Sequence, residues 1–253
     1  MDLAAAHGVL VLGVTDHDTL DGLAEAMAQG RRLGVRVVPG IELSVRVPRG
    51  SMHLLGYFRD AAPQPLAGRI AEFHARREDR AREIVRRLAA AGAPVDWQDV
   101  RARAHGPVGR PHVAEALVAA GHVAARQEAF DRYLAAGRPA FVGSEGLEPE
   151  EAVRLVADSG GAAVLAHPAS LGLAPRELDP FVGRLARAGM RGIEVHRPEH
   201  TGDQRAAYGA LARRWRLVPS GGSDFHRPDG PFAPGDTGDP PLPDETIDRL
   251  LAP

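Results

Sequence analysis

Val9-Leu10-Val11-Leu12-Gly13-Val14 runs directly into Thr15-Asp16-His17-Asp18, and that junction decides the fold. A short, continuous apolar run is the signature of a strand buried on both faces. Here it ends in residues that can bind a proton or a metal. The arrangement recurs along the chain. Val35 to Val38 leads to Gly40-Ile41-Glu42, Ala162 to Ala166 leads to His167-Pro168, and Gly192 to Val195 leads to His196. Leu217-Val218-Pro219 leads to Ser223-Asp224-Phe225-His226, while His53-Leu54-Leu55-Gly56-Tyr57 is a strand in itself. Amphipathic helical stretches near 19–33, 149–159, 176–189 and 202–216 lie between these segments. Alternating strand and helix predicts an α/β fold with a parallel sheet or barrel, whose functional site lies where the strands end.

Residues 64–140 break the rhythm. Helix-like patterns at 66–91, 111–120 and 124–136 appear without a strand of comparable quality, which predicts a helical insertion and leaves 1–63 and 141–253 as the α/β domain. Inside the insertion, Ala75 to Arg87 carries both signs of charge at helical spacing. That pattern reads as a solvated face laced with i,i+4 pairs rather than as a nucleic-acid contact. Pro228 to Pro243 is rich in Pro, Gly and Asp and predicts an extended loop before a last short helix near 243–251.

Composition narrows the chemistry. The 253 residues are 44% hydrophobic, and no apolar run approaches the roughly 20 residues of a membrane span, so the expectation is a soluble globular chain with a large core. Met1-Asp2-Leu3 has no basic leader region, which makes the cytoplasm the expected compartment and no membrane the expected partner. A formal net charge of −2 excludes a bulk basic field, so any polyanion is held locally. The absence of cysteine excludes disulfide scaffolds, thiolate zinc sites, iron–sulfur clusters and thiol nucleophiles. All 31 basic residues are Arg, which excludes a Schiff-base or phosphate-loop lysine. His, Asp and Glu remain for metal or acid–base work, and there are 11 His.

Asp16, His17, Asp18, Glu42, His53, His167, His196, Asp224 and His226 fall at predicted strand ends and are expected to converge on one rim. Such a set suits a borderline metal of the Mn, Fe or Zn type, with imidazoles setting identity and a carboxylate able to bridge two ions. Ala-His-Pro at 166–168 puts a ring at the end of a buried strand, where a core histidine has no reason to be. Ser-Asp-Phe-His at 223–226 places two ligand-capable groups at i and i+2, on one side of an extended segment. His7, His74, His105 and His122 read as incidental polar side chains.

The strings TDHDT (15–19), PGIELS (39–44), HLLGY (53–57), GRPHVA (109–114), AHP (166–168), EVHRPEHT (194–201) and GSDFH (222–226), in that order, resemble the PHP (polymerase and histidinol phosphatase) family. More narrowly, they resemble its branch with 3′,5′-nucleoside bisphosphate phosphatase and 5′-3′ exoribonuclease activity. The likeness implies a distorted (β/α)7 barrel with a small helical domain inserted after the HLLGY-like strand. It implies up to three divalent metals, often Mn²⁺, that hydrolyse a phosphoester of a small nucleotide or short RNA. Glu42 would bridge two ions, with His53 and His167 completing one site, His17 and His226 at a second and Asp224 at a third. Asp16 and Asp18 would orient ligands, Arg110 and His112 would hold phosphate at a helix start, and His200 would face the substrate.

The family pattern opens with a strand, a His-x-His motif and a metal-binding Asp, whereas Met1-Asp2-Leu3-Ala4 aligns with the helix that follows them. The expectation is therefore a barrel lacking its first strand and three ligands, through a misplaced start or a truncation. Two competing readings stay open at this point: a non-catalytic, metal-binding paralogue, and a histidinol-phosphate phosphatase.

Overall fold

The computed structural model describes the whole chain apart from residues 105, 107, 144, 145, 244 and 253, so His105 lies outside the described residues. It divides into two compact units, Met1–Ala67 with Gly146–Pro253, and Gly68–Glu145. The first unit is built on a six-stranded sheet in sequential order: β1 (Val11–Val14), β2 (Arg36–Val45), β3 (Met52–Tyr57), β4 (Ala162–Leu165), β5 (Gly192–His196) and β6 (Val218–Gly221). Its helices are α1 (Asp2–Ala6), α2 (Leu23–Leu33), α7 (Pro149–Asp158), α8 (Pro175–Arg187), α9 (Gly202–Trp215) and α10 (Thr246–Leu250). Leu54, Val164, Leu165 and Ile193 are wholly buried, so the central strands are covered on both faces as their apolar runs require.

The parallel arrangement expected from strand–helix alternation holds for β1–β2, β4–β5 and β5–β6. It fails at β3, which is antiparallel to both β2 and β4. Only residues 46–51 join β2 to β3, whereas a parallel crossover needs about a dozen residues or more. The reversal matters for function. His53 stands at the start of β3 rather than at its end, so it arrives at the rim where β1 and β4 finish. Glu42 lies within the ten-residue β2 rather than at its tip.

α9 begins with a reciprocal cap, in which Thr201 Oγ1 accepts the Gln204 amide at 3.2 Å and Gln204 Oε1 accepts the Thr201 amide at 2.9 Å. That cap fixes the turn carrying His200. α8 and α9 pack through Trp215, whose Nε1 donates to Asp179 Oδ1 at 2.8 Å.

In the second unit, α3 (Leu66–Ala90), α4 (Trp97–Ala102), α5 (Arg110–Ala119) and α6 (Arg126–Ala129) enclose Ile84, Leu88, Val100, Val113, Leu117 and Leu134. The face of α3 pairs Arg82 with Glu78 and Arg87 with Glu83 at 2.7 Å each, exposed contacts worth about 0.3–0.5 kcal/mol. The helical pattern at 124–136 forms from Arg126 to Leu134, with a change of hydrogen-bond spacing inside it. α6 passes into a π turn, Phe130–Leu134, where the Ala135 amide reaches the Phe130 carbonyl at 2.9 Å and Leu134 is carried wholly into the core. α4 escaped the periodicity reading, although Asp96 announces it by accepting the Gln98 amide at 2.7 Å. None of the described helices is long and apolar enough to cross a membrane.

Two glycines inside helices of the first unit predict opposite responses to the same change. A Cβ on Gly183 would meet the Trp215 ring at 2.4 Å, and the ring is held by Asp179; a Cβ on Gly209 would meet nothing nearer than 3.6 Å. Gly183→Ala is expected to destabilise the fold by about 1–3 kcal/mol through overpacking. Gly209→Ala is expected to stabilise it by about 0.5–1 kcal/mol through helix propensity. Urea unfolding of the two variants checks the signs, and equal shifts would contradict this packing.

Candidate metal centre

Glu42 is the centre of the rim. Its side chain is 6% exposed, and its neighbours along β2, Ile41 and Leu43, are buried too. A carboxylate taken out of water this far needs partners. Oε1 lies 2.6 Å from His53 Nδ1 and 3.2 Å from His167 Nε2, while Oε2 faces His17 Nδ1 at 3.8 Å. Burial opposes ionisation of Glu42. Hydrogen bonds from His167 and His53, with the charge of His17, overcome it and hold the carboxyl far below the usual carboxylate range. Burial likewise opposes a charged His167, and the hydrogen bond to Glu42 with the charges of Glu194 and Glu42 outweighs it, raising that imidazole.

Each imidazole reaches the rim from a different element. His17 follows β1 and bridges to Glu42 in parallel register; His53 opens β3; His167 follows β4. His226 follows β6 and brings Nε2 to 3.5 Å from His17 Nε2, while His53 Nδ1 and His167 Nε2 stand 3.1 Å apart. Ring nitrogens this close tolerate one another only with a proton or a cation between them. Ligand atoms of His17, Glu42 and His53 all lie within 4.8 Å of one another, and this group fits a divalent metal.

The other expected residues are placed differently. Asp18 is buried, its Oδ1 accepting the Ser44 amide and its Oδ2 the Ser44 hydroxyl at 2.8 Å each, which ties the β1 loop to β2 beside Glu42. Asp16 is exposed, and its carbonyl accepts the Glu42 amide at 3.1 Å. Asp224 turns toward Arg197, with Oδ2 3.2 Å from Nη2, and its Oδ1 is 3.4 Å from His226 Nδ1. His196 points its Nδ1 at the Pro240 carbonyl, at 3.1 Å. His200 is buried and donates from Nδ1 to the Val195 carbonyl at 3.0 Å, leaving Nε2 as a buried acceptor; burial pushes this imidazole down. His53, His167, Arg197, His200 and Asp224 share the lining of one cleft of about 360 Å³.

Arg110 and His112 belong to the second unit, at the first turn of α5. His112 Nδ1 accepts the Gly109 amide at 3.0 Å, so it caps the helix start that Gly109 has no side chain to cap. Arg110 donates to the Leu134 carbonyl at 3.4 Å and lies over the Phe141 ring. Burial, followed by the charges of Arg110 and Arg77, lowers Arg80, whose Nε is buried without a partner.

Two residues of the first unit's rim escaped the sequence reading. Glu194 and Arg197 are buried and joined, Arg197 Nη1 donating to Glu194 Oε2 at 3.1 Å. The signal was a carboxylate inside the apolar run Gly192 to Val195, where a strand buried on both faces has no use for one.

No protein-family model matches the chain. It is 34% identical over 230 residues to the 3′,5′-nucleoside bisphosphate phosphatase of Chromobacterium violaceum, covering 90% of this chain and 81% of that protein. It is 34% identical over 227 residues to a 5′-3′ exoribonuclease of Haemophilus influenzae, covering 90% and 83%. A crystal structure from Bifidobacterium adolescentis, assigned as a metal-dependent phosphoesterase, superposes with a TM-score of 0.76 at 28% identity over 99% of this chain and 88% of that one. With that identity, that coverage, the shared fold and a buried His and carboxylate cluster on the rim, the chain belongs to the PHP family of metal-dependent phosphoesterases and is a hydrolase.

Proposed function

We propose that this chain hydrolyses a phosphate ester of a small nucleotide, a 3′,5′-nucleoside bisphosphate, and that the same site takes 5′ nucleotides from short RNA. The relatives named for those activities support this substrate class. The observation that carries the reading is Glu42, whose two oxygens face two different imidazole groups. Glu42 Oε1 with His53 and His167 would hold one divalent ion, Oε2 with His17 and His226 a second, and Asp224 a third, with Mn²⁺ the metal proposed. Bound there, the ions would supply charge neutralisation at the phosphate and a lowered pKa for water.

The chain's own groups set the geometry. Asp18 and Ser44 lock the β1 loop, so His17 and Glu42 keep their separation. His200 presents Nε2 as an acceptor, suited to a substrate hydroxyl or to the proton of an attacking water, and its burial keeps it neutral near pH 7. Asp16, exposed beside His17, is proposed to orient water at the rim. Gly68–Glu145 is proposed as the inserted helical domain, carrying phosphate contacts at Arg110 and His112. What supports them is a guanidinium able to fork onto phosphate oxygens, placed at the start of a ten-residue helix among further arginines.

Phosphate release from adenosine 3′,5′-bisphosphate, and nucleotide release from a 5′-phosphorylated RNA of a few residues, measured with the Mn²⁺-loaded chain, test the reading. Turnover of either substrate is expected. Inertness toward both, with three bound ions, would move the chain to a metal-binding paralogue; preference for histidinol phosphate would move it to the other hydrolase reading. Glu42→Gln, which keeps shape and loses charge, is expected to lower kcat by more than about a hundredfold, beyond the 10- to 100-fold typical of losing an outer partner. Arg110→Ala is expected to lower kcat/KM by roughly tenfold to a hundredfold, the worth of a charge-assisted hydrogen bond, with only a small loss of thermal stability from its contacts to the Leu134 carbonyl and the Phe141 ring. Steady-state kinetics with a melting curve separates the two effects, and an unchanged kcat/KM would remove Arg110 from the site.

A further inference from the structure

Three residues of the rim, Asp18, His167 and Asp224, hold backbone conformations that their sequences do not favour, and the last two flank one buried ion pair. His167 has φ 24° and ψ 68°, although it precedes Pro168, and Asp224 has φ 53°. Side chains other than glycine occupy this left-handed region only at an energetic cost, and they persist there where the surroundings over-determine them. The two residues follow β4 and β6, the strands on either side of β5. What β5 presents between them is the ion pair of Glu194 and Arg197, 3% and 2% exposed.

The contacts run from that pair to His167 and Asp224. Glu194 Oε2 accepts the His167 amide at 2.7 Å and the Arg197 Nη1 donor at 3.1 Å. Arg197 Nη2 donates to Asp224 Oδ2 at 3.2 Å and to Glu199 Oε2 at 2.8 Å. Where β5 meets β6 the register shifts between Glu194 and His196, so that the Gly222 amide bonds the His196 carbonyl at 3.0 Å and the chain turns toward Asp224. Taking two charges out of water is costly, and hydrophobic residues of the same volume are often as stable or more so. Stability alone therefore does not account for an ion pair at this position.

We propose that Glu194 and Arg197 are positioning residues, a buried clamp that sets the His167 backbone and the Asp224 carboxylate in the geometry with which both meet a divalent ion. The proposal rests on the reading of His167 and Asp224 as ligands, and it concerns residues with no seat at the metal themselves. One carboxylate oxygen fixes the loop after β4, one guanidinium fixes the loop after β6, and the bond between them fixes the distance from one loop to the other. Arg197 does this because its fork serves Glu194 and Asp224 at the same time, which a lysine ammonium on one flexible stem does less well.

The test combines backbone exchange with metal binding. In the wild-type chain without metal, amide hydrogen exchange followed by NMR is expected to find the His167 amide at least tenfold slower than exposed loop amides. The double variant Glu194→Gln with Arg197→Met leaves no lone buried charge and is expected to unfold cooperatively. Its His167 amide is expected to exchange at least tenfold faster than in wild type, and calorimetric titration with Mn²⁺ is expected to give at least tenfold weaker binding. Arg197→Lys is expected to recover part of that affinity. A folded double variant with wild-type Mn²⁺ affinity overturns the proposal. So does a wild-type His167 amide that exchanges as fast as an exposed loop, a measurement that needs no variant to fold. A wild-type chain that binds no Mn²⁺ defeats the ligand reading instead, and the exchange rates still decide whether the clamp exists.

Discussion

A carboxylate buried within a strand is the constraint on which the rim depends. Glu42 sits between Ile41 and Leu43 in the core, and its ionised form survives there only because imidazoles surround it. Those imidazoles cannot come from β2 itself, where alternate residues point away. They come from the end of β1, the start of β3 and the end of β4, and this requires β3 to run against its neighbours. Sheet topology and the electrostatics of one side chain are therefore the same problem: a parallel β3 would have carried His53 to the opposite end of the sheet.

Much of this was written in the chain. The strand-like runs ending in His or carboxylates lie within a few residues of β1, β2, β4, β5 and β6, because apolar continuity is a strong signal when both faces are covered. The direction of β3 was not read from alternation, which carries no direction. It was present instead in the length of the 46–51 connection, too short to cross over. The histidines at the rim were found because each follows or opens an apolar run. Glu194 was overlooked for the complementary reason: it stands inside such a run, where hydrophobic neighbours conceal a charged residue from any reading based on strand ends. Arg197 is legible only through its contacts, since nothing in Val195-His196-Arg197-Pro198 distinguishes a buried arginine from a surface one. The wide turn at 130–134 is set by how Leu134 packs, and local periodicity carries no trace of it.

The rim holds two kinds of polar group that differ in how they are neutralised. Glu194 and Arg197 neutralise each other and are closed to water. Burial pushes the Glu194 carboxyl up, and the guanidinium of Arg197 with the amide of His167 offsets only part of that rise. Glu42 is different. Its partners are imidazoles rather than a guanidinium, and His17 and His226 are open to solvent. A group compensated by titratable, partly solvated neighbours is one where a cation from outside can replace protons.

That difference also bears on the charge at the cleft. Glu42, Glu194, Glu199 and Asp224 contribute four carboxylates in or beside it, against Arg197 as the one guanidinium joined to them. A phosphate approaching these groups alone meets like charge in a region of lowered dielectric, where repulsion is screened less than in water. Arg197 offers little relief, since its two terminal nitrogens are already engaged by Glu194, Glu199 and Asp224. Cations held by Glu42 and its imidazoles would offset this negative charge, and the same carboxylates would draw such cations to the rim.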